Sequence, residues 1–332
     1  MIIRQQHLEL IKGDVIILCK LHVRLREETM SLKIHFSIRD LENLSGVKAH
    51  TIRIWEKRYG LLSPQRSDTN IRKYNLDSFK KLLDVTFIYN HGVKISKIAA
   101  FTPEETKEVI LKHALIHSEH YAIDGLKKAM INFDTNSFNT IFSTLLKTKT
   151  FEEVFETVFI PLLQQIGVLW HIGTIDVSHE RFMSELIKRK TIEHIELRAS
   201  KTSKYSNNTK VCLFLPYDEI HDIGLIYANF ILEKSGIKTI YLGPNIPLES
   251  LTKQFYKEGE LIFLTFFTIK PDTDNIKSYL DSYQNIVCKD KKYPLWILGP
   301  KYIEVQKANT SSNIESFENI KIFLEKVKTL VA

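Results

Sequence analysis

The sequence predicts a multidomain chain of the α and α/β classes: a winged helix-turn-helix, then a four-helix bundle, then a doubly wound, Rossmann-like domain. Three observations carry that expectation. The positive charge is concentrated: of a net +7 over 332 residues, residues 31–102 hold 13 Lys/Arg against 6 Asp/Glu, and the rest of the chain is close to neutral. Apolar residues recur three or four apart through 119–131, 136–147, 151–169 and 177–197, the period of helices that bury one face. Beyond residue 210, short apolar runs alternate with helix-period segments, the pattern of a parallel sheet covered by helices.

Residues 1–30 fit none of these patterns; the first 29 read as an extension upstream of the native start, with Met30 an ordinary first residue. The alternative is a genuine helix over Leu8 to Glu28. The apolar stretch Val15 to Cys19 is bracketed by Lys12, Asp14 and Lys20, too short and too charged at its edges for a leader. No uninterrupted apolar run reaches the roughly 18 residues of a membrane helix. Cys19, Cys212 and Cys288 form no metal or disulfide spacing. A reduced, cytoplasmic protein with no membrane partner is expected.

The basic block, 31–102, is where the helix-turn-helix is expected. Ser37 to Leu44 puts Ile38, Leu41 and Leu44 on one helix face, and Ser45-Gly46-Val47 makes a turn. A second helix, Lys48 to Tyr59, turns Ile52, Trp55 and Tyr59 inward and leaves polar and basic side chains to enter a major groove. The polar loop Ser67 to Asn70 lies between two short extended runs with Arg66 and Arg72 at its ends, a wing suited to phosphates or a minor groove. Concentrated positive charge is the footprint of nucleic-acid binding. The candidate DNA contacts are Lys48, Thr51, Arg53, Arg58, Arg66, Arg72 and Tyr74. Arg53, Arg66 and Arg72 lead, because a guanidinium gains little in a core. The run Thr51 to Leu61, with Arg66 and Arg72-Lys73-Tyr74, closely resembles the winged-helix domain of MerR-family transcription regulators, over residues 36 to about 101.

The bundle is expected over 103–203, with Asp134, Thr150 and Ser178 as helix start signals. Ile166 to Gly173, which includes Trp170 and His171, ends its third helix. Val177 to Phe182, which includes Glu180 and Arg181, begins its fourth. Trp170 also has a plain structural reading as a bundle-core aromatic, and His171 as an exposed helix-end residue.

The last domain is expected over 204–332. Val211 to Leu215 reads as a buried strand and Leu225 to Leu232 as a helix, so Glu219, His221 and Gly224 fall on the loop between them. In an open α/β sheet such loops lie at the carboxyl ends of the strands, where ligands bind. A histidine there can offer one ring nitrogen to a metal while a carboxylate two residues away holds the other and fixes the tautomer. A solvated loop histidine is the alternative. Further strand ends are expected at a loop over Leu242 to Pro247, at Leu261 to Leu264 running into Thr265, and at Leu295 to Leu298 running into Gly299-Pro300.

Glu219-x-His221-x-x-Gly224, followed by those loops in that order, resembles the cobalamin-binding signature, in which the histidine is the lower axial ligand of cobalt. The bundle, with Trp170, His171 and Glu180, looks like the helical cap of the light-sensing, cobalamin-dependent repressors of the CarH/LitR kind. The resemblance implies a DNA-binding transcriptional regulator, a repressor and not an enzyme, controlled by adenosylcobalamin and light. The cofactor would be held between bundle and α/β domain by Trp170, His171, Glu180, Glu219, His221, Gly224, Thr265 and Gly299. His221 would ligate cobalt from below, and His171 from above once light has removed the adenosyl group. The implied partners are double-stranded operator DNA and further copies of the chain, as dimer or tetramer. Three positions depart from the family pattern: Arg181 stands for histidine, Thr265 for serine and Pro300 for glycine. They keep open a MerR-type regulator that answers to another tetrapyrrole or a protein partner, or whose pocket is empty. A corrinoid methyltransferase subunit is the third reading.

Overall fold

The computed structural model describes residues 35–114, 118–199, 209–251, 260–289 and 293–331. The expectations for residues 1–30 lie outside the described residues. The chain forms two compact units, one ending at Leu186 and one running from Ile187 onward.

The first unit opens with α1 (Ile38–Ser45) and α2 (Ala49–Tyr59). The Ser37 hydroxyl accepts from the Asp40 amide and the Asp40 carboxylate accepts from the Ser37 amide, a reciprocal box that fixes where α1 begins. Gly46 and Gly60 end the two helices at φ of 75° and 60°, where a side chain would be strained. The wing is β1 (Gln65–Arg66) antiparallel to β2 (Arg72–Lys73), followed by α3 (Leu76–Asn90) and α4 (Ile95–Ile98). Leu41, Leu44, Ile52, Trp55, Phe79 and Leu82 are buried together as its core.

The helical part adds α5 (Pro103–Ala114), α6 (Ser118–Ile131), α7 (Thr135–Leu145), α8 and α9 (Val177–Ala199). The third bundle helix, α8, runs as Phe151–Val154, a π-helical turn Phe155–Phe159, and Ile160–His171. That wider turn lets Val154, Phe155, Val158 and Phe159 all reach the core, where Phe138, Phe142 and Phe159 stack. Asp134 and Thr150 cap their helices as the sequence suggests. The cap of α9 is Asp176 and not Ser178: its carboxylate accepts from both the amide and the hydroxyl of Ser178, each at 2.9 Å. Burial of Thr174 and Ile175 sets that register, so the aspartate arrives first at the helix boundary. Within this unit Lys128 pairs with Asp84 of α3 at 2.6 Å, and the Asn43 amide of α1 donates to Thr174 at 2.8 Å.

The second unit is a parallel sheet in the order β4–β3–β5–β6–β7, with β3 (Lys210–Pro216), β4 (Lys238–Ile246), β5 (Leu261–Phe266), β6 (Leu295–Leu298) and β7 (Ile314–Ser316). Helices α10 (Ile223–Lys234), α11 (Ile276–Ile286), α12 (Tyr302–Ala308) and α13 (Ile320–Val331) connect and flank the strands. This is the doubly wound order in which the chain reverses direction across the sheet beside its first strand. Two expected strand ends move. Leu242 to Ile246 is the bulged end of β4, because register shifts against β3 keep Gly243 and Ile246 paired. Thr265 lies within β5, paired to Phe214 on one side and Ile297 on the other.

Candidate functional site

The loop from β3 to α10 is built around Glu219, which is fully buried. Its Oε1 accepts from the His221 Nδ1 at 2.6 Å and from the amides of Ile220 and His221; its Oε2 accepts from the amides of Ile269 at 2.6 Å and Lys270 at 2.7 Å. Burial alone would push the Glu219 carboxyl up. The His221 ring and the Lys270 and His221 amides outweigh it and hold the group down at about 2, so it is ionised at neutral pH. An ionised partner on Nδ1 keeps the proton there and leaves the lone pair on Nε2. The His221 side chain is 42% exposed, so that nitrogen is reachable. One residue on, Asp222 is buried and paired with Lys188 at 2.8 Å.

The neighbouring strand ends present three further features. Thr265 is fully buried, and its hydroxyl has no hydrogen-bond partner among the described residues. A buried hydroxyl left this way costs free energy, which a ligand group can recover. Gly224 lies in the first turn of α10, and the space a side chain would need is taken by the Phe266 ring, 2.6 Å from where a Cβ would stand. Gly299 sits at φ 118°, and its missing side chain admits the backbone of Phe267. Both glycines are therefore required first by the chain's own packing. An open cavity of about 460 Å³ lies at the ends of β3 and β4, lined by Tyr217, Pro247, Pro271 and Tyr279 among others.

In the first unit, Trp170 stands 47% exposed in the last turn of α8, with exposed His171, Val168, Ile172 and Val177 around it. Glu180, in the first turn of α9, accepts from the Ser184 hydroxyl at 2.6 Å, and its other oxygen lies 3.5 Å from the Arg181 guanidinium. The carboxylate therefore has a cationic neighbour where the family pattern has an imidazole.

On the helix-turn-helix, Lys48, Arg53, Arg58 and Arg66 are exposed, and Thr51 is half-buried. Arg66 is braced by Asn70 across the wing at 2.6 Å. Arg72 is half-buried with its Nε on Glu56 at 3.1 Å, which leaves less of it for DNA than its position suggests. Tyr74 is corrected: its ring is fully buried and its hydroxyl donates to Glu56 at 2.9 Å, so it is a core residue and no DNA contact. The β-bridge between Phe36 and Tyr74 turns that side chain inward. Sequence reasoning also missed Phe266, the Asp222–Lys188 pair and the buried Lys301. None lies in a recognisable motif, and each acquires its role from long-range packing.

Comparison with known proteins matches two stretches of the chain, the helix-turn-helix and most of the helical bundle. Residues 36–105 match the MerR HTH family regulatory protein model, and residues 122–192 match the B12 binding domain model. The chain is 27% identical over 216 residues to the HTH-type transcriptional repressor CarH of Myxococcus xanthus, spanning 63% of this chain and 70% of that protein. It is 24% identical over 220 residues to the repressor CarA of the same organism, spanning 64% of this chain and 70% of that one. The monomethylamine corrinoid protein of Methanosarcina barkeri shares the fold, with a TM-score of 0.50 at 14% identity over 64% of this chain and 98% of that one. The chain thus joins a MerR-type helix-turn-helix to a B12-binding domain. Its residues fit such a cofactor at two points, the reachable His221 nitrogen and the unpartnered Thr265 hydroxyl. Among the described residues no helix is long and apolar enough to cross a membrane.

Proposed function

We propose that this chain is a DNA-binding transcriptional regulator, acting as a repressor, whose hold on its operator answers to adenosylcobalamin and light. The observation that carries the reading is the Glu219–His221 pair, a buried carboxylate fixing the tautomer of a reachable imidazole, in a chain that carries a MerR-type helix-turn-helix over residues 36–105. When bound, cobalamin would supply a cobalt able to take a nitrogen ligand and a light-sensitive bond to its adenosyl group. His221 would offer it Nε2, and Thr265 a buried hydroxyl. Trp170 would shield the adenosyl group and Glu180 would accept from its hydroxyls. His171 would offer a second nitrogen once light has acted, because the Arg181 guanidinium has no lone pair to give. Arg53, Lys48, Arg58 and Arg66 hold the operator.

The hydrogen bond from Asn43 to Thr174 supports a coupling between these roles. It ties the first helix of the DNA-binding domain to the turn that follows Trp170. A switch needs a ligand with different affinity for two assembly states, here copies of the chain assembled on DNA or released from it. The test is retardation of an operator fragment by the full chain with adenosylcobalamin in darkness, after illumination, and without cofactor. Retention in the dark with release on illumination is expected. Equal binding in all three conditions would favour a MerR-type regulator that does not use cobalamin.

A further inference from the structure

Lys301 is a buried cation, 7% exposed, that follows directly on Gly299-Pro300 at the end of β6. A buried ammonium needs acceptors, because taking the charge out of water is costly unless hydrogen bonds replace the solvent. Lys301 finds them in the main chain: its Nζ donates to the carbonyls of Ile269 and Pro271. The same short loop, 269–271, meets Glu219 from its other polar side, through the amides of Ile269 and Lys270. One segment of backbone is thus gripped by a buried cation on its carbonyls and a buried anion on its amides. The grip depends on Gly299, because the close approach to the Phe267 backbone that brings β6's exit under this loop leaves no room for a side chain.

We propose that Lys301 is a positioning residue for His221, acting through loop 269–271 and Glu219. The chain of contacts is continuous: Lys301 fixes the loop, the loop amides fix the Glu219 carboxylate, and the carboxylate fixes the His221 ring through Nδ1. The inference rests on the proposed role of His221 but is read separately from it. Partners one shell out from a metal ligand set its orientation and basicity, and their loss costs roughly 10–100-fold in affinity.

The test compares the full chain with Lys301→Met, which keeps the stem and removes the donors, and Lys301→Arg, which restores donors and charge. Without cofactor, the proton on His221 Nδ1, shared with a carboxylate at 2.6 Å, gives a low-field NMR resonance assigned by its loss in His221→Ala. That resonance should broaden or vanish in Lys301→Met and return in Lys301→Arg, while the amides of β3 and β5 stay protected from exchange. With aquocobalamin, affinity should fall about 10–100-fold in Lys301→Met and recover in Lys301→Arg. If Lys301→Met does not fold, Lys301→Gln is read the same way. A Met or Gln variant with the parent's resonance overturns the proposal. So does a variant whose resonance loss accompanies general loss of strand protection. If the parent takes up no cobalamin, the proposed function fails, and the resonance comparison still decides Lys301.

Discussion

Glu219 in the α/β unit and Glu180 in the helical unit are both acidic residues close to a histidine or its replacement, yet their surroundings are opposite. Glu219 is fully buried and receives five N–H groups on its two oxygens. Glu180 is half-buried, takes one hydroxyl hydrogen bond, and has an offset guanidinium 3.5 Å away. The first is a preorganised support, with its cost met at folding and its geometry set before any ligand arrives. The second is an adaptable group on a surface with exposed apolar side chains. Under the proposed function the contrast separates a fixed support for His221 from a group that adjusts to a ligand.

The sharpest way to break this comparison is to remove each carboxylate in turn. Glu219→Ala leaves buried donors unmet and should destabilise the α/β unit by about 3–5 kcal/mol, whereas Glu180→Ala should cost about 0.5 kcal/mol or less. Urea unfolding followed by circular dichroism reads both, and equal losses would remove the distinction. The same contrast has a pH signature. The Glu219 carboxyl is held at about 2, below its ordinary 4.5. The stability it contributes is therefore complete above pH 4.5 and is lost as pH falls toward 2, by about 3 kcal/mol. Unfolding midpoints across that window should slope steeply in the parent and in Glu180→Ala, and become shallower in Glu219→Ala, where carboxyls such as Glu42 and Glu119, also held low by their hydrogen bonds to Lys48 and Lys149, still titrate. A slope in Glu219→Ala as steep as the parent's assigns the acid sensitivity elsewhere.

A smaller effect is expected at the edge of the fixed region. In Gly224→Ala the new methyl meets the Phe266 ring and must displace it, for about 1–3 kcal/mol of overpacking. A melting temperature equal to the parent's would mean that the ring moves freely, and the α/β side would then be less rigid than described. The helix-turn-helix repeats the contrast on a smaller scale. Exposed Arg53→Ala should weaken operator binding by about 1–3 kcal/mol with little effect on stability. Buried Tyr74→Phe should lose about 1 kcal/mol of stability and leave operator affinity unchanged. An affinity loss in Tyr74→Phe as large as that of Arg53→Ala would reverse the correction made for Tyr74.

Much of this was legible in the sequence where the signal is local. Helix period, the Asp134 and Thr150 caps, and the apolar runs of β3, β5 and β6 specify elements within a few residues of themselves. The Glu219–His221 pair was legible because two residues of spacing on a tight loop leave the carboxylate within reach of Nδ1. What was not legible depends on residues far apart. Tyr74 reads as part of a basic motif, and only its bridge to Phe36 shows it turning inward. Ser178 and Asp176 are equally good caps, and core packing of Ile175 chose between them. The Thr265 hydroxyl, the Phe266 ring over Gly224 and the grip of Lys301 on loop 269–271 are products of sheet register. No window of sequence contains them.

The central claim is that the Glu219-anchored imidazole of His221 is the nitrogen offered to cobalt. The most direct measurement is the absorption spectrum of the full chain incubated with adenosylcobalamin in darkness, compared with that of His221→Ala. Cofactor uptake by the parent, with a nitrogen-ligated spectrum that His221→Ala loses together with at least about 100-fold in affinity, is the expected result. An unchanged spectrum and affinity in His221→Ala, or no uptake by the parent, would contradict the account.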